Sequence, residues 1–195
     1  MGKFNLDMEK RYSYADYLKW SFDDTVEIIK GIIFKMAPAP NRNHQEISGR
    51  FFLFLGNYFS GQHCNLYAAP FDVRFSNKKD ENKDELITTV VQPDLCIICD
   101  RKKLDDRGCI GAPDLIIEIL SPGNSKKELK DKYDLYEENG VREYWIVFPL
   151  EKSVIIYNLN EAGKYIGSRL FTVDDKIKST IFPELEIELN YIFKD

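Results

Sequence analysis

Ala112-Pro113-Asp114-Leu115-Ile116-Ile117-Glu118-Ile119-Leu120 is the stretch on which the fold of this chain turns. A short, almost unbroken Leu/Ile run is the pattern of a strand covered on both faces. Glu118 sits inside it. An ionised carboxylate in such a place costs several kcal/mol unless something pairs with it. A metal ion, a lysine or a proton would each serve, and the rest of the chain is read for that partner.

Downstream, Ser121-Pro122-Gly123-Asn124 breaks the chain, and Ser125 with Glu128 spells the Ser-x-x-Glu capping box that opens a helix. The helix is expected to run to about Asn139 and to stop at Gly140. At 100° per residue, Leu129, Tyr133, Tyr136 and Leu135 define an apolar arc, and Lys132 falls within it. Two readings follow. Lys132 either reaches Glu118 on the adjacent strand, or it snorkels at the edge of the core.

Upstream, Ile47, Phe51, Leu55 and Tyr58 recur at helical spacing and predict a helix over Arg42–Phe59. Strands are expected at Asn65–Phe75, Thr89–Cys99 and Asp114–Leu120, and another at Glu143–Phe148. The resulting order is helix, three strands, helix, strand. That αβββαβ core makes a mixed α/β (α+β) domain, a sheet with helices packed on it. A hairpin turning near Lys30-Gly31 precedes the core. A second, Ser153–Asn158 with Tyr165–Thr172, follows it, with its turn at Glu161-Ala162-Gly163. Residues 1–195 are expected to form one domain, with the core at about 42–150. Ser13 is placed as the cap of a short helix, Tyr14–Trp20, and the polar run Ser76–Glu85 as a solvated hairpin tip.

Bulk properties narrow the function. The start of the chain is polar and mixed in charge. No apolar run approaches the ~20 residues that span a bilayer, so a cytoplasmic, non-membrane protein is expected. The net charge of −5 argues against broad nonspecific nucleic-acid binding, although a metal held by carboxylates can handle phosphate on an acidic protein. Of the four cysteines, Cys96 and Cys99 spell CxxC, but no second pair follows, and on a strand they point to opposite faces. All four are expected to be buried structural thiols. Glycine-rich phosphate loops and Gly-x-Ser-x-Gly or Ser-x-x-Lys elements are absent from the sequence.

Asp94, in Val91-Gln92-Pro93-Asp94-Leu95, lies on the strand neighbouring that of Glu118. Two carboxylates and a lysine around a divalent ion can polarise a phosphate and activate water, and such oxygen-only sites suit Mg²⁺ or Mn²⁺. Asp94, Glu118 and a helical lysine on an αβββαβ frame resemble the PD-(D/E)XK nuclease superfamily. The fuller resemblance is to a bacterial restriction-endonuclease family formerly classed as a domain of unknown function. It is carried by Glu27-Ile28-Ile29-Lys30-Gly31 with Met36-Ala37-Pro38, His44, Ala69-Pro70-Phe71-Asp72-Val73, Gln92-Pro93-Asp94-Leu95, Gly111 to Pro122, Asp131-Lys132 with Tyr136, and Gly140 to Val147. These cover residues 15–150 in order.

The resemblance implies a Mg²⁺-dependent endonuclease, with Mn²⁺ able to substitute, and DNA as substrate. Asp94, Glu118 and the Ile119 carbonyl would hold the metal. The superfamily lysine two residues after the glutamate is absent, since that position is Leu120, and the role passes to Lys132. His44 is a candidate for orienting phosphate or moving a proton, and Glu27 for the rim of the site or an extra ligand. Asp114 and Gln92 would support these groups from outside. Phe148 departs from the family, which often has aspartate there. A homodimer would supply two sites for a duplex, and the aromatic-rich region Tyr157–Phe193 either forms its interface or completes the core. The competing reading is a noncatalytic module that retains the nuclease fold to bind nucleic acid or protein.

Overall fold

The structure is a computed structural model that describes residues 7, 9–20, 26–35, 41–76, 83–121 and 126–194. In chain order, the elements are α1 (Tyr14–Tyr17), β1 (Val26–Ile29), β2 (Ile32–Lys35), α2 (Arg42–Phe59), β3 (Asn65–Ala68), β4 (Val73–Ser76), β5 (Ile87–Val91) and β6 (Leu95–Ile98). After a turn of 3₁₀ helix come β7 (Leu104–Asp105), β8 (Gly108–Ile110), β9 (Leu115–Ile119), α3 (Lys126–Glu138), β10 (Glu143–Phe148) and β11 (Ser153–Leu159). The chain closes with β12 (Tyr165–Gly167), β13 (Phe171–Thr172), β14 (Lys176–Lys178), β15 (Glu186–Glu188) and α4 (Leu189–Ile192).

The core sheet runs β12-β11-β10-β9-β6-β3. Strand β6 pairs antiparallel with both β3 and β9, and β9 pairs parallel with β10 across the α3 crossover. Helix α2, strands β3, β6 and β9, helix α3 and strand β10 are thus the αβββαβ frame read from the sequence. Both faces of β9 are covered, as its apolar run required. Leu115, Ile117 and Ile119 pack with Ile47, Phe51 and Leu55 of α2, while Ile116 packs with Leu135 and Tyr136 of α3. Glu118 has the parity of Ile116 and so faces α3.

Two of the expected long strands are broken. Asn65–Phe75 divides into β3 and β4, and Thr89–Cys99 derives from β5 and β6. The breaks fall at Pro70 and at Pro93, residues with no N–H to give a ladder. Each first or second half leaves the core sheet for a second one, β2-β1-β5-β4-β8-β7. This second sheet carries the N-terminal hairpin and lays β1, with Glu27, beside β5. The hairpin turns through Lys30 and Gly31, both at positive φ, the conformation of a type I′ turn.

Several smaller expectations are modified. Ser13 caps a shorter helix than expected, with Asp16 completing a capping box. The capping residue proposed for α3, Ser125, and the tip 77–82 lie outside the described residues. The C-terminal aromatic region does not stand apart as an interface. Ile177, Leu185, Ile187, Leu189, Ile192 and Phe193 complete the α2 side of the core, and Tyr165 the α3 side. Cys96 and Cys109 are buried free thiols, but Cys64 and Cys99 are joined in a disulfide rather than free. They extend the β3–β6 ladder by one pair beyond Asn65↔Ile98, a proximity invisible at a sequence separation of 35.

Candidate active site

Three elements, α3, β9 and β1, meet at Lys132. It lies on the inner face of α3, only 7% exposed. Its Nζ is 3.0 Å from Glu118 Oε1 and 3.2 Å from Glu27 Oε1. Of the two readings left open by the helical arc, the structure has the lysine paired, not snorkelling. Glu27 is 3% exposed, on β1, and belongs to the interior rather than the rim. Its Oε1 also accepts the backbone N–H of Gln92 at 2.9 Å. Gln92 thus supports the site through its main chain, while its side chain donates to Asp72 and Tyr17.

Tyr136 lies one turn beyond Lys132 on the same face, and its hydroxyl donates to Glu118 Oε1 at 2.6 Å. Sequence reasoning had placed this tyrosine simply in the core. The i, i+4 spacing from Lys132 was the available signal. Among the described residues, both hydrogen bonds to Glu118 fall on Oε1.

Asp94 enters β6 at the bend made by Pro93. Its Oδ2 accepts the Ile119 N–H at 2.7 Å, which fixes it beside the end of β9. Its Oδ1 lies 3.3 Å from His44 Nε2. His44 is held in the first turn of α2, where the Asn41 side chain caps its backbone N–H. The imidazole is buried, its Nδ1 has no hydrogen-bond partner among the described residues, and the ring interacts with the Ile119 carbonyl. Asp94, Glu118, Ile119, Lys132, His44 and Glu27 are therefore together.

Asp114 is not with them. It shares a face with Glu118 but lies four residues back, roughly 13 Å along a strand. Its carboxylate instead accepts the Cys99 N–H at 2.9 Å and pairs with Arg142 at 3.1 Å. It stiffens the far end of β9 and supports neither Lys132 nor a ligand.

The electrostatics follow from two acids paired with one lysine and from a third, Asp94, acting on Glu118. Burial pushes the Glu118 carboxyl up to about 7, and Lys132 pulls against that while Asp94 and Glu27 add to it. For Lys132, burial opposes the charge, but Glu118 and Glu27 outweigh it and hold the ammonium well above its ordinary value. For His44, burial likewise disfavours the cation, yet the Asp94 carboxylate raises it overall. The groups here that could hold a metal ion, the Asp94 and Glu118 carboxylates and the Ile119 carbonyl, offer oxygen only. Such a set fits Mg²⁺ or Mn²⁺, and the excess negative charge favours a cation.

Comparison with known proteins shows the family and the fold. The family model Uma2, described as "Putative restriction endonuclease", matches residues 14–190. The chain belongs to the Uma2 family. The match covers both sheets and every residue of the site. This Uma2 chain is 23% identical over 159 residues to the uncharacterized protein slr1290 of Synechocystis sp., covering 80% of this chain and 78% of that one. A crystal structure from Anabaena variabilis ATCC 29413, described as "a putative nuclease belonging to DUF820", superposes with a TM-score of 0.73 at 20% identity. That superposition covers 93% of this chain and 97% of the other and establishes the shared fold. No helix among the described residues is long and apolar enough to cross a membrane.

Proposed function

We propose that this Uma2 protein is a divalent-metal-dependent endonuclease that hydrolyses DNA phosphodiester bonds, working in the cytoplasm with Mg²⁺ as the resident ion. The observation that carries the reading is the buried Lys132 paired with both Glu118 and Glu27, with Asp94 near enough to act on the Glu118 carboxyl. A purely structural ion pair needs one acid, whereas three acids around one lysine leave a negative excess suited to a cation.

Asp94, Glu118 and the Ile119 carbonyl would hold the ion, which when bound polarises the scissile phosphate and lowers the pKa of a water. The protein's own groups do the remaining work. Asp94 is pre-aimed by the Ile119 N–H, and Glu118 by Tyr136 and Lys132. Lys132 places a fixed positive charge at the centre, where it stabilises the charge that develops on phosphorus-bound oxygen. His44 contacts Asp94 Oδ1 and the Ile119 carbonyl, oxygens of two of the groups assigned to the ion. Its ring beside Asp94 is the group that would accept or return a proton during hydrolysis. A homodimer would bring two such sites to the two strands of a duplex.

Single-turnover cleavage of long linear and circular DNA, with Mg²⁺, Mn²⁺ or Ca²⁺, tests the reading. Expected are cleavage with Mg²⁺ and Mn²⁺, none with Ca²⁺, and loss of ~10²-fold or more in Asp94→Asn and Glu118→Gln. Cleavage that persists in both variants would refute the site. Wild type that binds DNA yet cuts no substrate with any of these ions would favour the noncatalytic module.

A further inference from the structure

We propose that Cys64–Cys99 is a redox-active disulfide, open to a small thiol at Cys99, with His63 stabilising the departing Cys64 thiolate. The bond lies at the opposite end of β6 from Asp94 and is independent of the nuclease reading. Two features set it apart from a purely structural crosslink.

First, its two sulfurs are unequal. Cys64 is buried at 3% exposure, while Cys99 is partly exposed. An incoming thiolate therefore meets the Cys99 sulfur more readily. Second, the exposed His63 ring sets Nε2 3.3 Å from Cys64 Sγ. An imidazole donor beside a sulfur stabilises its thiolate, and a more stable leaving thiolate departs faster. The histidine thus sits on the sulfur that must leave, not on the one attacked.

Breaking the bond need not dismantle the sheet. The β3–β6 ladder still joins Asn65–Ala68 to Leu95–Ile98, and the Cys99 N–H is separately held by Asp114. Both redox states can keep the same pairing.

The exchange balances as follows. A thiolate attacks Cys99 Sγ and forms a mixed disulfide there, and the Cys64–Cys99 bond breaks with its electron pair leaving on Cys64. A second thiolate attacks the mixed disulfide, releasing Cys99 and the oxidised small-molecule disulfide. The protein disulfide gains two electrons and two protons, and two small thiols are oxidised to one disulfide.

The experiment uses the full chain, purified in air. It is mixed with reduced glutathione near neutral pH, quenched with an alkylating reagent at intervals and mapped by mass spectrometry, for wild type and His63→Ala. Thermal melts run alongside. Expected are an initial disulfide in wild type, glutathione trapped on Cys99, and reduction about 3- to 10-fold slower in His63→Ala with an unchanged melt. Three results would overturn the proposal: equal rates in the two proteins, glutathione trapped on Cys64, or aerobic protein lacking the disulfide. In the last case stoichiometric zinc would be the alternative, since His63, Cys64 and Cys99 offer ligand atoms within 4.8 Å of one another.

Discussion

Replacing Lys132 with methionine keeps the stem of the side chain and removes its charge from between Glu118 and Glu27. Both carboxylates are buried, so the loss should be large and should depend on pH. The Glu118 carboxyl, at about 7 against an ordinary value of 4.5, is raised in the folded protein. A raised carboxyl favours folding with the proton on. That advantage is full below about pH 4.5 and is lost as pH rises through about 7. The shift from 4.5 to about 7 corresponds to about 3 kcal/mol at ~1.4 kcal/mol per unit. Lys132 limits this penalty, so its removal pushes the carboxyl higher still.

At about pH 8 both acids then lack their cation, and Lys132→Met should lose about 3–5 kcal/mol, the cost of breaking a buried pair from one side. That is roughly 6–20 °C in Tm for a chain of this size. At about pH 5.5 Glu118 keeps its proton, only Glu27 is left unpaired, and the loss should fall by about half. Lys130→Ala, whose exposed partner is Asp134 one turn on, should stay within about 0.5 kcal/mol at both values. Urea and thermal unfolding of the three proteins at the two pH values decide the matter. A loss under about 2 °C at pH 8, or an equal loss at both, would refute the assignment of a charge-compensating lysine.

Mn²⁺ competes with the proton on Glu118, so its affinity should fall about tenfold per unit below pH 7 and level off above it. Calorimetry or Mn²⁺ EPR would show this, and a flat profile from pH 5 to 8 would exclude Glu118 as a ligand. Glu143→Ala should cost about 2–4 kcal/mol and speed amide exchange around residues 176–188. Its carboxylate accepts from Trp145 Nε1 at 2.6 Å, from Ser179, and from the Thr180 and Ile181 N–H groups, and so ties the C-terminal hairpin to β10. Gly108→Ala should cost several kcal/mol in thermal melts, because φ is +132° and a Cβ would land on the Asp72 carbonyl oxygen. Light scattering with and without DNA tests pairing. With the C-terminal aromatics in the core, exposed Phe52 and Leu53 on α2 are the better positions for substitutions that weaken it.

What the sequence determined alone follows from local rules. The apolar run around Glu118 demanded covering on both faces, and helices stand on both. The 3.6-residue period of α2 and of α3 located them closely and put Lys132 on the inner face, because side-chain direction along a helix is set by the backbone. The positive-φ turn at Lys30-Gly31 and the stop at Gly140 are likewise written in single residues.

The tertiary structure decided whatever depended on distance. Period two gave Asp114 and Glu118 a common face, but alternation says nothing of the ~13 Å between them, and Asp114 serves the other end of the strand. Pro70 and Pro93 fall inside stretches whose pattern predicts continuous strands, and only the packing shows the chain breaking there and crossing between two sheets. That crossing brings Glu27 from β1 onto Lys132, 105 residues away. The Tyr136 hydroxyl on Glu118 and the Cys64–Cys99 bond belong to the same class. Each joins groups that have no relation along the chain and meet only because strands and helices pack side by side.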